Sequence, residues 1–290
     1  MLNNKPAWAD LRSQFDFDAI REAIFKPNRP KQPTPQYAPD DVANIMEMIE
    51  SAGQKWVPRD WVELNVTEVE NLVEGTWPVA VKGYVDIQGT LNGTMAPFRE
   101  FTGGLMIVDW KTRDGELSQD WKDRLVDSWQ WRIYAYLTSA TVINYRGVTR
   151  KCEAFSGCDT RDVLIGVPVS NTQEVVEYLH GLNEQRNQLI KIGAEVWPRH
   201  MPDACNKYRR ECEYKLDCDT YVNIPRYVPE AGKVMSYTEF DRFARCPEYS
   251  RRKLRETGEE DDEALYIGSG FHRGIANLYE QLRRLKGRAA

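Results

Sequence analysis

Apolar residues along this chain follow two spacings, one typical of strands and one typical of helices, in different segments. In five segments they alternate with polar residues or form short runs, which predicts strands over about 61–70, 79–88, 105–111, 141–148 and 163–169. Elsewhere their helical spacing predicts helices over about 18–25, 39–52, 119–140 and 173–192, with two more after residue 235. Strands interleaved with helices predict an α/β fold, with a central mixed β-sheet flanked by helices.

Proline and cysteine placement divides the chain into four predicted parts. Residues 1–37 form an N-terminal extension with a proline-rich linker, and residues 38–218 form a core that includes a cysteine segment. Residues 219–235 form a linker, because their prolines and glycine suit a surface connection. Residues 236–290 form a C-terminal helical segment.

Composition limits the function classes. A chain of 290 residues with 41% hydrophobic residues and nine Trp can supply the core of one large domain or two small ones. We expect no membrane association, because no apolar stretch approaches the roughly 20 residues that span a bilayer. The formal charge of −5 argues against a highly basic nucleic-acid coat protein. It does not argue against a metal-dependent site, because bound cations offset acidic residues locally.

Two predicted strands carry acidic residues at their expected ends. Asp86 closes the run Gly83–Asp86, and Asp109 is followed two positions later by Lys111. Side chains at i and i+2 of a strand point to the same face, so Asp109 and Lys111 should project together. If the strands pair, Asp86 joins them, and two carboxylates beside one ammonium make a site for a hard cation such as Mg²⁺ or Mn²⁺.

These residues and a downstream Gln-x-x-x-Tyr, from Gln130 to Tyr134, carry a family resemblance. The order resembles the PD-(D/E)XK nuclease superfamily and its RecB-like exonuclease branch, which has an acid after Gly-x-x, then D/E-x-K, then a Q-x-x-x-Y helix. The resemblance implies a restriction-endonuclease-like core and a metal-dependent DNA nuclease, with exonuclease action expected.

The resemblance also implies a role for each residue. The two acids and the backbone carbonyl of Trp110 would bind the metal. Lys111 would orient or deprotonate the attacking water, or neutralise developing charge. Gln130 and Tyr134 would contact DNA or brace the active site.

The C-terminal segment resembles the part that normally opens a RecB-like domain. A Ser-initiated helix ends in Cys246-Pro247, and Gly268-Ser269-Gly270-Phe271-His272 follows. In the family that His joins the acids as a metal ligand, but in this chain it comes after them. Either the domain is circularly permuted, with residues 236–290 completing it, or the chain is a fragment of two tandem domains. Each motif occurs once, which favours permutation, and domain termini often lie close together.

Four cysteines are candidate cluster ligands. AddB-type and CRISPR-associated nucleases of this branch hold an iron–sulfur cluster with one Cys near the domain start and three near its end. Cys246, with Cys205, Cys212 and Cys218, resembles that set, although the gap from Cys205 to Cys212 is longer than the family's. Four thiolates suit [4Fe–4S] or Zn²⁺, and the family favours the iron–sulfur cluster. Inert buried cysteines stay open as an alternative.

The other cysteines and the N-terminus bear on location. Cys152 and Cys158 are interpreted as structural. The polar run Met1–Asp10 shows no signal peptide, so we expect a cytoplasmic protein with reduced thiols and no disulfides.

The predicted function is therefore a metal-dependent DNA nuclease in recombination, repair or phage DNA metabolism. Its partners would be DNA, as single strands or duplex ends, and proteins of a recombination or replication complex. Two alternatives stay open. One is a non-catalytic DNA-binding accessory module that keeps the fold. The other is a zinc-binding interaction protein whose acids are surface residues.

Overall fold

The computed structural model of this chain describes residues 5–26, 35–93, 97–150, 158–191, 235–247 and 263–289. The chain divides into two compact units. Unit 1 comprises Met1–Leu72, Tyr84–Pro168 and Asp261–Ala290, and unit 2 comprises Val73–Gly83 and Val169–Glu260.

In chain order, the described elements are α1 (Trp8–Arg12), α2 (Phe17–Ile24), α3 (Pro39–Glu63), β1 (Leu64–Gly75), β2 (Val81–Leu91), a 3₁₀ turn (Phe98–Phe101), β3 (Leu105–Arg113), α4 (Gln119–Val126), α5 (Trp129–Thr138), β4 (Val142–Thr149), β5 (Thr160–Gly166), α6 (Asn171–Lys191), β6 (Met235–Ser236), α7 (Tyr237–Arg245) and α8 (Glu263–Ala289). Side-chain caps fix several helix starts: Asp16, Ser118, Ser128 and Ser236 each accept a backbone N–H of the first turn.

The sheet is mixed and runs in the order β1-β2-β3-β4-β5. The pairs β2–β3 and β4–β5 are antiparallel, and β3–β4 is parallel. A parallel pair needs a long crossover, which α4 and α5 supply. Within unit 2, β6 pairs in parallel with the first residues of β2. The predicted α/β class, a central mixed sheet flanked by helices, is confirmed.

Helices cover both faces of the sheet, which explains why β4 is buried along its whole length. Trp110 of β3 lies beside Arg146 of β4, and this face packs against α3 and α8. Lys111 lies beside Gly147 on the opposite face, where the ring of Trp121 from α4 fills the space that a side chain at Gly147 would need. Successive residues of β3 therefore point toward different helical layers.

Two predicted helix boundaries are wrong. Helix α3 continues to Glu63 instead of ending near residue 52, because Trp56 and Val57 extend its buried face. The predicted helix 119–140 is two helices, because the Ser128 hydroxyl accepts the backbone N–H of Gln130 at 3.2 Å and starts α5 afresh.

The C-terminal helix α8 packs closely on α3. A side chain at Gly270 would meet Ile45 Cδ1 at 2.7 Å, and one at Gly274 would meet Ile49 Cδ1 at 2.3 Å, so a larger residue at either position would displace an isoleucine side chain of α3. The buried face of α8 includes Phe271, whose ring centroid lies 5.7 Å from that of Trp110. This packing fixes the part of α8 around Phe271 against β3.

A buried ionic cluster joins α3, β4 and α8. Arg146 Nη2 donates to Asp60 Oδ1 at 2.8 Å, and Nη1 donates to the Tyr279 hydroxyl at 2.6 Å. That hydroxyl in turn donates to Asp60 Oδ2. The side chains of Asp60 and Arg146 have no exposed surface. Each charge is therefore paired and hydrogen-bonded inside the core.

Candidate active site

The site begins where β2 and β3 part. Their ladder runs from Thr90↔Leu105 to Ile87↔Val108. One step further, the backbone N–H of Trp110 donates to the side chain of Asp86, at 2.6 Å from Oδ2. The carboxylate therefore takes a position beside the β3 backbone. Asp86 and Asp109 each lie within a strand, inside the predicted bounds of 79–88 and 105–111, and the strands continue past both acids.

Asp109 and Lys111 project together, as the period of the strand predicts. Lys111 Nζ lies 2.6 Å from Asp109 Oδ2 and 3.0 Å from Gln130 Oε1. It also lies 5.5 Å from the centre of the Tyr145 ring, whose π face favours a cation. The ammonium is therefore held between an acid, an amide and an aromatic ring.

The Gln130 side chain connects three members of the site. Its oxygen accepts from Lys111, and its Nε2 lies 3.2 Å from Asp109 Oδ1 and 3.3 Å from the Tyr134 hydroxyl. Gln130 and Tyr134 are one turn apart on α5, so both side chains lie on the same helix face. The short helix α5 thus holds the acid and the lysine in fixed positions.

His272 reaches this site from the far end of the same chain. Its Nδ1 lies 3.1 Å from Asp86 Oδ1, which pairs residues 186 positions apart. Because Asp86 Oδ2 already accepts from Trp110, both carboxylate oxygens have partners. The structure therefore places His272 with Asp86, whose neighbouring strand carries Asp109.

The electrostatics of the two acids differ. Burial favours a raised pKa at Asp86, but the charge and hydrogen bond of His272 and the N–H of Trp110 outweigh it, so its pKa lies below the ordinary value. Burial raises the pKa of Asp109, and the nearby negative charge of Asp86 adds to the rise against the opposing Lys111. Burial would lower the pKa of His272, but Asp86 more than offsets this, so its pKa is raised. Two carboxylates in one site thus have pKa values pushed apart.

Solvent reaches the site from one side. Side-chain exposure is 20% for Asp86, 29% for Lys111 and 32% for His272, against 6% for Asp109. A dissolved ion or substrate can reach Asp86, Lys111 and His272 from solvent, while Asp109 lies at the buried end of the site.

The donor chemistry of these residues fits a hard divalent cation. Carboxylate oxygens are ligands that Mg²⁺ and Mn²⁺ prefer, whereas an imidazole nitrogen is a ligand of transition metals, so the set suits Mn²⁺ better than Mg²⁺. Asp109 Oδ2 is buried and meets Lys111 as an ion pair, without the geometry of a hydrogen bond. Among the described residues, no group of three or more acids, histidines or cysteines is arranged to hold a metal ion as it stands. Lys111 and His272 contact the two carboxylates directly. A cation would therefore take over part of the charge that these two groups now neutralise.

Glu70 is a residue of this neighbourhood that the sequence did not reveal. It lies on β1 with φ 50°, a left-handed conformation that is uncommon for a residue other than glycine. Glu70 is an exposed residue of β1, and partial desolvation of its carboxylate, followed by the charge of Asp86, raises its pKa. Nothing in the sequence distinguishes Glu70 from the other acids of this strand; the signal lies in its backbone conformation.

The cysteine predictions have different outcomes. Cys205, Cys212 and Cys218 lie outside the described residues. In unit 2, Cys246 is a free, buried thiol that follows the last residue of α7. The prediction of no disulfides is wrong at Cys158, which is buried and disulfide-bonded. A compartment argument concerns the redox state of the surroundings and cannot tell which sulfur atoms the fold brings together.

Comparisons with known proteins add little to this geometry. No protein-family model matches the chain, and no curated protein matches it. Among solved structures, it is similar to the crystal structure of a protein from Eubacterium rectale described as a "putative exonuclease". The two share 15% identity over 79% of each chain, with a TM-score of 0.34. That score is too low to support the chemistry, which rests on the residues above. In the described ranges, no helix is both long and apolar enough to cross a membrane.

Proposed function

We propose that this protein is a metal-dependent DNA nuclease of the PD-(D/E)XK type, in its RecB-like branch, and that it acts as an exonuclease. The observation that carries the proposal is the Asp109–Lys111–Gln130 network beside the Asp86–His272 pair, within one chain. An ion pair that only stabilised the fold would need neither the second acid, Asp86, nor the Gln130 amide that bonds both Asp109 and Lys111.

The roles follow from the contacts. Asp86, Asp109, His272 and the backbone carbonyl of Trp110 would hold Mg²⁺ or Mn²⁺. When bound, the ion supplies an activated water and stabilises charge on the scissile phosphate. Lys111 presents an ammonium that Asp109 and Gln130 aim, so it can orient the water or neutralise negative charge as it develops.

The position of His272 supports circular permutation over a fragment of two domains. A fragment of two domains would have the C-terminal segment as a separate body. Instead, α8 belongs to unit 1 with both acids, and its buried face packs on Trp110. Residues 236–290 would then complete the nuclease domain, with 219–235 as the join between its original ends.

We also propose a [4Fe–4S] cluster held by Cys205, Cys212, Cys218 and Cys246, with Zn²⁺ as the alternative metal. The burial of Cys246 at a helix end is compatible with this role. Metal analysis of anaerobically purified protein, with its visible absorbance, tests the cluster. Equal amounts of iron and sulfide, with charge-transfer absorbance, would support it. Protein that carries neither iron nor zinc would refute both metals.

The proposed setting is cytoplasmic DNA metabolism: recombination, repair or phage replication, on single strands or duplex ends.

Degradation of end-labelled single- and double-stranded DNA with Mn²⁺ tests the activity. Asp109→Asn should remove both cleavage and Mn²⁺ binding. Asp120→Asn is the matched control, because Asp120 is an exposed acid that pairs with Arg124 along α4. Full activity in Asp109→Asn would refute the site. Wild-type protein that binds DNA but neither cleaves it nor binds Mn²⁺ would indicate an accessory module instead.

A further inference from the structure

A cleft lies beside the candidate active site, between α2, β1 and α8. Its volume is about 600 Å³, and it is lined by four cationic and two acidic side chains, so its ionisable lining has an excess of positive charge. Glu70 of β1 lines this cleft, and so does Arg273, the residue that follows His272 on α8. One end of the cleft is therefore close to the proposed metal ligands.

The α8 wall of the cleft is a helical stripe. Lining residues recur from Arg273, directly after His272, to Arg284, at the spacing of one helix face. This stripe extends about 16 Å along the helix axis at 1.5 Å per residue. At 3.4 Å per nucleotide of a duplex strand, that length corresponds to about five nucleotides.

Two of the four cationic groups, Arg283 and Arg284, lie at the end of the cleft away from His272. Glu280 Oε1 accepts from Arg283 Nη2 at 2.9 Å and from Arg284 Nε at 3.2 Å. One carboxylate shared by two guanidinium groups leaves a net positive charge there. Arg283 also donates to the Thr67 carbonyl oxygen at 2.7 Å, which ties it to β1. Arg284 is 67% exposed and open to an anion from solution.

Arg273 contributes charge to the cleft while serving the fold. Its Nε donates to the Ile24 carbonyl oxygen at 2.9 Å, and it also bonds the Tyr37 hydroxyl. Lys26 adds a further cation at the end of α2. Exposed Arg–Glu pairs on a helix usually contribute little to stability. These arginines lie on a cleft wall that begins beside the proposed metal ligands, which favours a role in ligand binding over a role in stability.

We propose that this cleft binds the phosphate backbone of the DNA strand, with Arg283 and Arg284 contacting phosphates about five nucleotides from the one that is cleaved. This proposal rests on the proposed function, because the position of the cleaved phosphate at the His272 end of the cleft is taken from it. A guanidinium group matches a phosphate because its planar N–H donors can pair with two oxygens. The contacts are to the backbone, so they position DNA of any sequence.

The salt dependence of DNA binding tests this proposal. Binding of labelled oligonucleotides to the full chain is measured by fluorescence anisotropy in EDTA, which prevents cleavage, over a series of salt concentrations. Each lost phosphate contact lowers the slope of log K against log salt by about 0.7–0.9. Arg283→Gln/Arg284→Gln should therefore lower the slope by about 1.4–1.8, and Arg284→Gln alone by about half of that. Arg284→Gln keeps the Arg283 bond to β1, so it serves if the double variant is unstable.

Substrate length gives a second, independent readout. In the wild type, KM should fall when the oligonucleotide is lengthened past about five nucleotides, and the double variant should lose that fall. Arg12→Gln is the matched control, because Arg12 is a half-exposed arginine that pairs with Glu50, and neither residue lines the cleft. It should keep both the slope and the length dependence.

Each outcome separates the two proposals. If the slope and length dependence of both variants equal those of the wild type, the cleft proposal is wrong, whether or not DNA is cleaved. If the slopes change as expected but no divalent ion supports cleavage, the cleft proposal stands and the nuclease proposal fails. Polyglutamate, a polyanion without phosphate groups, gives a further check. If the same concentration displaces the oligonucleotide from the wild type and from both variants, Arg283 and Arg284 do not contribute to DNA binding, and the cleft proposal is wrong.

Discussion

Unit 1 contains two clusters of buried charge on opposite faces of β3 and β4, and they differ in one physical respect. The Asp60–Arg146–Tyr279 cluster has one acid, one base and a hydroxyl that bonds both, with no exposed surface on the two charged side chains. The candidate active site has two acids that share Lys111 and His272, and it is open to solvent on one side. A closed, matched cluster can only stabilise the fold. An open cluster whose acids can be reached from solvent can also exchange partners with a cation.

The largest effect expected from this comparison is on stability, in the closed cluster. Asp60→Asn leaves the Arg146 charge buried and without its bidentate partner, which should cost about 3–5 kcal/mol of unfolding free energy. Urea unfolding measures this. Asp60→Leu/Arg146→Met, which removes both charges, should recover much of the loss. A loss under about 1 kcal/mol in Asp60→Asn would mean that the cluster does not hold α8 in place.

The open cluster should show the reverse behaviour. Lys111→Ala should lower DNA cleavage by about 10²–10³-fold, because a charge aimed at the transition state is lost. Unfolding free energy should fall less than in Asp60→Asn, since Lys111 is partly exposed and Asp109, whose pKa burial raises, can take up a proton when its partner is lost. Manganese binding should be largely kept. Parallel measurement of cleavage, unfolding and Mn²⁺ binding checks this, and full cleavage by the variant would remove Lys111 from the mechanism.

A smaller loss is expected when the network is loosened. Gln130→Ala removes the amide that orders Asp109 and Lys111, and small displacements of reacting groups cost up to about 10²-fold in rate. We expect cleavage to fall about 10- to 100-fold through kcat, with KM little changed. Gln119→Ala is the control, because Gln119 bonds Asp123 on the exposed surface of α4. Equal rates for the two variants would show that Gln130 does not position the site.

The smallest effect is in the pH dependence of stability. Arg146 holds the pKa of Asp60 below its ordinary value of 3.8, against the opposing effect of burial. A lowered folded-state pKa gives stability that is present above the unfolded value and is lost as pH falls through the folded value. The stability difference between wild type and Asp60→Asn should therefore be constant from pH 7 to about 4 and shrink below that. A difference that already shrinks between pH 7 and 5 would contradict the lowered pKa.

The sequence predicted the open cluster better than the closed one. Asp109 and Lys111 share a face because strands have a period of two, and Gln130 and Tyr134 share one because they are a helical turn apart. Asp60 and Arg146 gave no such signal, since a charged residue in a helix or strand usually faces solvent. Their pairing depends on long-range packing that local periodicity does not contain.

Other features depended on tertiary structure in the same way. The His272–Asp86 contact followed from a family resemblance, and no spacing rule connects residues so far apart. Glu70 needed the backbone conformation of β1, and the break at Ser128 needed the cap that separates α4 from α5. Periodicity therefore predicted the α/β sheet and the polar face of the site, while the groups that order it came from the fold.

The most direct test of the central claim is the position of a bound metal ion. Crystals of the full chain soaked in Mn²⁺ would be measured for anomalous scattering at the manganese edge. We predict a peak about 2.1 Å from carboxylate oxygens of both Asp86 and Asp109, with the His272 imidazole as a further ligand and Lys111 displaced from Asp109. Crystals that show no peak between these two acids at saturating Mn²⁺, with the Lys111–Asp109 and His272–Asp86 contacts unchanged, would contradict the account.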